Sequence, residues 1–327
     1  STLTYFAGGG KPLYSYSLIQ GIRDGFLAPY KVIRIGLDKD LEGWRPPKGM
    51  SDDLGQEIED RIYNQKDMDR VLVLNERTTR VAEKVVEYLA GTDPLGKTIV
   101  FCQDIDHAER MRSALVNEVA RVFPAEAGNT KFVVRITGDS QDGKVALYDF
   151  IHPEKPYPVI ATTSKLLTTG VDAKTCKLIV LDQSIKSMIE FKQIVGRGTR
   201  IHEDAGKLWF SIMDFKKATE LFADPDWDGE PIVIYEPQPE DPVVPPDDED
   251  DDGDDGTSGE WTPEDDDDDG GIIGHPEPGG AVKYRVSGVE VTVIAERVQY
   301  LDSDGKLITE SLRDYTRNTV RKQYASL

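Results

Sequence analysis

The chain has 327 residues, with 60 acidic and 39 basic side chains, so its formal net charge at neutral pH is -21. Such a charge suggests at first that nucleic acid is excluded as a partner. Residues 236–280, however, hold 19 Asp and Glu with no Lys or Arg, so the rest of the chain carries only -2. The acidity is therefore local, and it does not argue against a DNA partner.

Cysteine use and hydropathy narrow the class of protein further. Only Cys102 and Cys176 occur, and no Cys/His cluster has the spacing of a metal site. These features favour the reducing cytoplasm and predict that this chain itself binds no metal. There is neither a signal peptide nor an apolar run near the roughly 18 residues that span a bilayer, so we expect a soluble protein without membrane contact.

Strands and helices are predicted to alternate along most of the chain. Short continuous apolar runs such as 98–102 are typical of strands covered on both faces, and the alternation predicts a parallel α/β sheet flanked by helices. Ligands of such sheets bind beyond the carboxyl ends of the strands. In chain order the predicted elements are a possible short helix at 18–26, a strand at 31–36, helices at 53–66 and 75–89, a strand at 98–102, a helix at 106–122, and strands at 131–136, 158–161, 177–181 and 208–212.

A change of composition follows the last of these strands. Residues 237–280 are dominated by Asp, Glu, Pro and Gly and bury too little apolar surface to fold, which predicts a disordered acidic linker. Beyond it, 282–286 and 289–298 predict a hairpin around Ser287-Gly288, and 310–324 predicts a last helix.

One stretch is polar where a core helix would be apolar: Gln193-Ile-Val-Gly-Arg-Gly-Thr-Arg200. If it is helical, Gln193, Arg197 and Arg200 stand at i, i+4 and i+7, on one stripe of the helix. Two guanidinium groups on one stripe suit a triphosphate, because their planar forks match phosphate oxygens. The same spacing fits a surface helix whose arginines pair with carboxylates, so the spacing alone leaves both interpretations open.

Two patterns imitate other sites. Gly91-Thr-Asp-Pro-Leu-Gly96-Lys97-Thr98 matches a phosphate-binding P-loop, but a helix precedes it and a strand follows, whereas a P-loop leaves a strand and opens a helix. We interpret it as a helix-to-strand connection. Asp182, Glu190 and Lys192 resemble the metal-binding cluster of a nuclease. We expect Glu190 and Lys192 to lie on one helix, where side chains two residues apart point in different directions, so we do not interpret the three as a nuclease site.

Three stretches gain specificity because they occur together. Ile136-Thr-Gly-Asp-Ser-Gln141 follows a strand and could place N–H groups and hydroxyls against a phosphate backbone. Ala161-Thr-Thr-Ser-Lys-Leu-Leu-Thr-Thr-Gly-Val-Asp172 is rich in hydroxyls and ends in a glycine and an acid. Each of these two stretches alone is weak evidence for a function. The second, however, is followed about twenty residues later by the third stretch, Gln-x-x-Gly-Arg-x-x-Arg at 193–200.

In this order the motifs resemble the second RecA-like lobe of superfamily 2 helicases and translocases over residues 97–215. Residues 98–102, 162–172 and 193–200 look like motifs IV, V and VI of that lobe. More narrowly, 14–30, 194–200 and Tyr300-Leu-Asp-Ser-Asp-Gly-Lys-Leu307 look like the restriction (R) subunit of type I restriction-modification enzymes. This resemblance implies an ATP-driven translocase of double-stranded DNA that also cuts it.

The resemblance assigns roles only where the motifs match. It implies that Arg197 and Arg200 are catalytic arginine fingers acting on a triphosphate held by the other lobe. Mg²⁺ and most contacts to ATP would belong to that first lobe, so we expect this piece alone to be inactive. The further implied contacts are Gly170, Asp172, Gln193 and Gly196 for the nucleotide, and Thr137, Gly138, Thr162 and Thr163 for DNA.

The same resemblance divides the chain and suggests partners. Residues 1–30 would be the trailing segment of the first lobe, 31–235 the second lobe, 236–280 the linker and 281–327 the start of a C-terminal domain. The partners would be the methylation and specificity subunits of a type I complex. Two alternatives stay open: a superfamily 2 motor of the repair or remodelling type, and a non-enzymatic module that binds a partner.

Overall fold

The structure, a computed structural model, describes residues 18–138, 141–164, 173–203, 206–221, 283–301 and 307–310. In that part of the chain no helix is both long and apolar enough to cross a bilayer. The helices are α1 (Leu18–Arg23), α2 (Asp38–Leu41), α3 (Asn75–Gly91), α4 (Ile105–Val122), α5 (Gln141–Ile151), α6 (Met188–Val195) and α7 (Ala218–Leu221). The strands are β1 (Tyr30–Leu37), β2 (Leu72–Leu74), β3 (Lys97–Cys102), β4 (Val133–Arg135), β5 (Ile160–Thr163), β6 (Cys176–Asp182), β7 (Phe210–Asp214), β8 (Tyr284–Val286), β9 (Val293–Leu301) and β10 (Leu307–Glu310).

Eight of these strands form one sheet in the order β10-β9-β1-β7-β6-β3-β5-β4. The six strands from β1 to β4 in that order are mutually parallel, and β9 and β10 continue the sheet in antiparallel fashion beyond β1. The predicted fold class, an α/β fold with a parallel sheet flanked by helices, is confirmed.

Helices cover both faces of the sheet, which explains why β3 is buried at all six positions. On one face α3 buries Val81, Val85 and Leu89, which lie four residues apart and so share a helical stripe. On the other face α6 buries Phe191 and Ile194 against the sheet. Helix α3 had been expected from its apolar spacing, whereas helical structure around Gln193 had been considered only as a condition for the polar stripe. The sheet lies between the two helices.

The helix predicted at 53–66 is wrong. This region forms turns and isolated bridges, with Ser51 paired to Glu57 and Trp44 paired to Tyr63. The Asp52 carboxylate accepts hydrogen bonds from the backbone N–H groups of Leu54 and Gln56, at 3.0 and 2.8 Å. Aspartate side chains that capture nearby N–H groups favour turns over helix, which is the physical reason for the error.

The hairpin predicted around Ser287-Gly288 is also wrong. Strand β8 pairs in parallel with β2, and β9 pairs with β1, so the two predicted partners join different strands of the lobe. The proposed domain boundary near 281 stays a proposal, but residues 283–301 are integrated into the lobe by strand pairing. The predicted linker and most of the predicted last helix lie outside the described residues.

A buried charge network gathers at the carboxyl ends of the strands. The Arg77 guanidinium, from the first turn of α3, donates to Asp40 at 2.8 Å, to Asp182 at 2.7 Å and to Asp69 at 3.0 Å. All four side chains are at most 2% exposed. Asp40 follows β1, Asp69 precedes β2 and Asp182 is the last residue of β6, so one cation joins three separate parts of the chain.

The environment of these groups determines their protonation. Burial raises the pKa of Asp182, but Arg77 and His107 outweigh it and hold the pKa well below its usual range. Burial likewise opposes ionisation of Asp69, and His107, Arg77 and Lys216 together lower its pKa. Burial lowers the pKa of Arg77, yet the three aspartates raise it above its usual value. These pKa shifts favour the charged forms of Asp69, Asp182 and Arg77.

Removing the strands after the linker should destabilise the lobe. A variant that ends at residue 235 loses β9, which pairs with β1 over seven register positions, and loses the buried Val286 and Val291. We expect its melting temperature to fall by about 5 °C or more, because exposing a sheet edge and core side chains costs at least about 2 kcal/mol. Differential scanning calorimetry measures the change.

The matched control shortens the chain and keeps every strand that the structure describes. Deleting residues 247–269, which are almost all Asp, Glu, Gly and Thr, should leave the melting temperature nearly unchanged, because this composition buries little apolar surface. Equal melting temperatures for the two deletions would contradict the role of β8 and β9 in the lobe.

Replacing Arg77 with methionine should leave three buried carboxylates without their shared cation. Arg110 contacts Asp69 at 2.8 Å and Lys216 lies 3.9 Å from Asp40. Among the described residues, the ion-pair contact that Asp182 would keep is His107, at 3.3 Å. We expect Arg77→Met to lower the free energy of unfolding in urea by about 3 kcal/mol or more at pH 8. Arg112→Met, which removes only a surface pair with Glu109, should cost less than about 1 kcal/mol.

The pH dependence of this loss has a definite sign. In the wild type the folded-state pKa values of Asp69 and Asp182 lie below the unfolded value near 4, so their stabilisation is present above about pH 4 and disappears at lower pH. Without Arg77, burial should raise these pKa values above the unfolded value. The loss in Arg77→Met should then be smaller at pH 5 than at pH 8, and a loss independent of pH would argue for a packing effect only.

Candidate active site

The glycine-arginine stretch is a capped helix end followed by an extended segment. Helix α6 begins after Ser187, whose hydroxyl accepts a hydrogen bond from Glu190 N–H, and it ends at Val195. The N–H groups of Arg197 and Gly198 then make tight turns back to Ile194 and Val195, at 3.0 and 2.9 Å. The predicted helical stripe of Gln193, Arg197 and Arg200 is therefore wrong, because only the glutamine lies in the helix.

Backbone contacts on both edges hold the segment Gly198–Arg200, which we call the arginine loop. On one edge the Ala28 N–H donates to the Thr199 carbonyl at 2.7 Å, and Leu27 pairs with Arg200 in an antiparallel bridge. On the other edge the Lys207 ammonium donates to the carbonyls of Gly198 and Arg200, both at 2.6 Å. These distant contacts, and not helix propensity, set the conformation of the loop.

Gly198 is required by close packing. A Cβ atom at this position would lie well inside van der Waals distance of the Phe210 ring. Phe210 is the first residue of β7 and pairs with Tyr30, the first residue of β1. The arginine loop therefore lies at the amino ends of the parallel strands.

Gln193, Gly196, Arg197 and Arg200 lie in the arginine loop or just before it in sequence, and we call this set the rim. Arg200, Gln193 and Gly196 are exposed, Arg197 is half-buried, and the neighbouring Thr199 is buried. A fixed backbone with two guanidinium groups and an exposed glycine can bind an anion with many oxygens, because such a site offers several donors without reorganisation.

The residues predicted to contact DNA lie at the opposite ends of the strands from the arginine loop, the carboxyl ends. Thr137 and Gly138 follow β4, and Thr162 and Thr163 end β5, so all four are at carboxyl ends. The three threonine side chains are buried, and Gly138 is exposed. The structure thus separates these residues from the arginine loop instead of bringing them together.

Two of the threonine hydroxyls differ in their surroundings. The Thr162 hydroxyl donates to the Ala108 carbonyl at 2.9 Å, which fixes it between β5 and α4. The Thr163 hydroxyl has no hydrogen-bond partner within the described ranges. The predicted DNA contact therefore stays a prediction for both, and at Thr162 the hydroxyl already serves the interior. Gly170 and Asp172 lie outside the described residues.

Both imitation motifs belong to the scaffold. Lys97 of the apparent P-loop starts β3, is 6% exposed and donates to the Pro158 carbonyl at 2.6 Å. Burial lowers its pKa to about 8, although Asp149 opposes the shift. Glu190 of the apparent nuclease cluster accepts a hydrogen bond from Lys186 N–H, and Asp182 binds Arg77. Neither set is free to bind phosphate or a divalent metal.

One group in the described part of the chain has the geometry of metal ligands: Asp69, His107 and Asp182. The backbone N–H of Gln103 donates to His107 Nδ1 at 3.2 Å, so Nε2 faces the carboxylates and lies 3.3 Å from Asp182. The Arg77 guanidinium already occupies the space between the carboxylates and balances their charge. These three residues therefore belong to the buried charge network around Arg77, and the absence of a bound metal stays a prediction.

The sequence did not single out Lys207 or Arg77. Lys207 follows a glycine before an apolar run, which is typical of an exposed turn, and gives no signal of its burial. Arg77 does carry a signal, because it lies four residues before Val81 and eight before Val85, in phase with the buried stripe of α3. A charged residue in phase with a core stripe indicates a buried ion pair.

Replacing Gly198 with alanine should distort the arginine loop. The added methyl group would overlap Phe210, so the loop or the ring must move, and we expect a loss of about 2 kcal/mol in the free energy of unfolding. The control is Gly138→Ala, because a Cβ there meets no atom within 4 Å. Thermal unfolding of both variants tests the contact, and equal stability of the two would refute the close approach.

Comparison with known proteins gives the family. No family model matches the chain. The chain is 55% identical over 346 aligned residues to the type I restriction enzyme EcoAI endonuclease subunit of Escherichia coli, covering 100% of this chain and 41% of that protein. It is 28% identical over 221 residues to the EcoKI endonuclease subunit of Escherichia coli strain K12, covering 63% of this chain and 18% of that protein.

A solved structure supports the same relationship. A fragment assigned as an HsdR subunit of a type I restriction enzyme from Vibrio vulnificus YJ016 is 43% identical, with a TM-score of 0.52, covering 68% of this chain and 38% of that chain. This chain spans about two fifths or less of the curated relatives it matches. The resemblance read from the motifs is confirmed: the chain is homologous to a segment of the endonuclease subunits of type I restriction enzymes.

Proposed function

We propose that this chain forms the second motor lobe of a type I restriction endonuclease subunit and supplies the arginine-finger half of its ATP site. The observation that carries the proposal is the arginine loop, whose backbone is fixed on both edges while Arg200 stays exposed. The relatives are type I endonuclease subunits of which this chain covers a part, so the activity and partners of the whole enzyme belong to the proposal.

The arginines would act by stabilising charge. ATP, held mainly by another lobe together with Mg²⁺, supplies the phosphoryl group that is transferred to water. Arg200 and Arg197 would donate to the phosphate oxygens, where negative charge accumulates in the transition state. Guanidinium groups on a fixed backbone need little reorganisation at that moment, which is why the contacts of the loop matter for rate.

Gln193 and Gly196 are the other candidates for nucleotide contact on this rim. Gln193 lies in the last turn of α6 and is exposed, so its amide can donate or accept a hydrogen bond. Gly196 is exposed at the end of the helix and permits close approach of a ligand to the backbone. The roles of Gly170 and Asp172 in the nucleotide site rest on the resemblance alone.

The loops at the carboxyl ends of β4 and β5 would contact the backbone of double-stranded DNA. Gly138 is exposed directly after β4, and Thr137 and Thr163 lie beside it at neighbouring strand ends. N–H groups and hydroxyls at such ends suit phosphate oxygens. The methylation and specificity subunits would be the protein partners, and two free, buried cysteines fit the reducing cytoplasm.

Arg200→Ala should abolish ATP turnover in a complete endonuclease subunit that carries this segment. We expect kcat for hydrolysis to fall roughly a hundredfold or more, equivalent to about 3 kcal/mol, while nucleotide binding changes little. Arg200→Lys should recover little activity, because an ammonium group cannot reproduce the bidentate fork. Steady-state hydrolysis and nucleotide titration measure the two effects.

The matched control is Arg45→Ala. Arg45 is an exposed arginine paired with Asp60 at 2.7 Å, in a loop far along the chain from the arginine loop. This variant should hydrolyse ATP at the wild-type rate. If Arg200→Ala also keeps the wild-type rate, the arginine-finger role is wrong.

This chain by itself should not hydrolyse ATP. Its apparent P-loop leads into a strand, and the Lys97 ammonium is engaged by the Pro158 carbonyl, so this stretch does not cradle the phosphates. Purified chain should show only background phosphate release in the presence of Mg²⁺ and DNA. Turnover that Lys97→Ala abolishes would mean that the apparent P-loop is a real one.

A further inference from the structure

Lys207 is a completely buried lysine at the base of the arginine loop. Its relative exposure is 0%, and its ammonium group donates to the carbonyls of Gly198 and Arg200, both at 2.6 Å. Its backbone pairs with His202 in an antiparallel bridge, with both N–H to carbonyl distances at 3.0 Å. The lysine is thus anchored by its own backbone before its side chain reaches the loop.

The two carbonyls that Lys207 binds belong to Gly198 and Arg200, on either side of Thr199. One ammonium group therefore holds the loop at two points. The intervening carbonyl of Thr199 indeed accepts from Ala28 N–H at 2.7 Å, on the opposite edge. Lys207 and Ala28 therefore donate hydrogen bonds to all three successive carbonyls of the arginine loop.

Burying an ammonium group costs free energy unless hydrogen bonds compensate for its lost hydration. The two carbonyls provide that compensation at Lys207. The buried Gly198 carbonyl would lose this donor if the side chain at position 207 were apolar, and so would the partly buried Arg200 carbonyl. The backbone of Arg200 is held at its carbonyl by Lys207 and in an antiparallel bridge by Leu27. A change at Lys207 therefore reaches Arg200 through one hydrogen bond.

We propose that Lys207 is a positioning residue for ATP hydrolysis: it fixes the arginine loop so that Arg200 meets the phosphates in the geometry of the transition state. The inference rests on the proposed function of the loop. In this role Lys207 does not touch the nucleotide, and it acts through its hydrogen bonds to the backbone of Gly198 and Arg200.

The test is a double-mutant cycle in a complete endonuclease subunit that carries this segment. Lys207→Met should lower kcat for ATP hydrolysis by about tenfold, because small misplacements of catalytic groups are costly, while KM for ATP stays within about twofold. In the Arg200→Ala background, Lys207→Met should lower kcat no further. Circular dichroism and thermal melting report on the fold of every variant.

Two further variants keep the test decisive. Lys207→Gln retains an amide donor and should recover part of the lost kcat; it also carries the cycle if Lys207→Met does not fold. Lys97→Met is the matched control, because Lys97 is likewise buried and likewise donates to a carbonyl, that of Pro158, but away from the loop. Its kcat should equal that of the wild type.

The outcomes separate the inference from the proposed function. A tenfold loss from Lys207→Met that persists in the Arg200→Ala background, or that Lys97→Met reproduces, would show a general effect on folding and overturn the inference. An unchanged kcat in both Lys207 variants, with Arg200→Ala inactive, would overturn the inference alone. Wild-type turnover in Arg200→Ala would instead overturn the proposed function.

Discussion

The buried guanidinium of Arg77 is the interaction on which the arrangement of this lobe depends. It binds Asp40, Asp69 and Asp182, which lie after β1, before β2 and at the end of β6. Buried charges are tolerated only when they are fully paired, so helix α3 can dock on the sheet in one register only. A shift of α3 by one residue would leave several carboxylates without a partner. The network therefore specifies the fold even where its net contribution to stability is modest.

The parallel sheet separates two sets of residues by the length of its strands. The arginine loop lies at the amino end of β7, and Thr137, Gly138 and Thr163 lie at the carboxyl ends of β4 and β5. Strand β6, with seven residues, spans roughly 23 Å at 3.3 Å per residue. In the function proposed here, nucleotide and DNA would contact opposite ends of one rigid sheet. Helix α6 follows β6 and ends at the arginine loop, so it is the element that connects the two ends.

Sequence patterns predicted the elements whose stability is local or whose burial is complete. The apolar runs of β3 and β6 and the apolar stripes of α3 and α4 were found because their periodicity is set by the layered core. The errors share another cause. Residues 53–66 were predicted as a helix, but the Asp52 carboxylate accepts hydrogen bonds from nearby N–H groups and stabilises turns. Val286 and Val293 were placed in one hairpin, but β8 pairs with β2 and β9 pairs with β1. Side-chain capture and long-range pairing leave little trace in a short window of sequence.

The sequence by itself determined the family, the α/β class and the identity of the motif residues, because these depend on residue types in a fixed order. It could also reject the apparent P-loop, since the order of helix and strand around Lys97 was enough. Only the tertiary structure decided the conformation of the arginine loop. The sequence favoured a continuous helix through Arg200, yet Phe210 leaves no room beside Gly198, and Lys207 and Ala28 bind the carbonyls that a helix would have used. These partners are up to about 170 residues away in sequence, and contacts of that range are decided by the assembled sheet and not by local propensity.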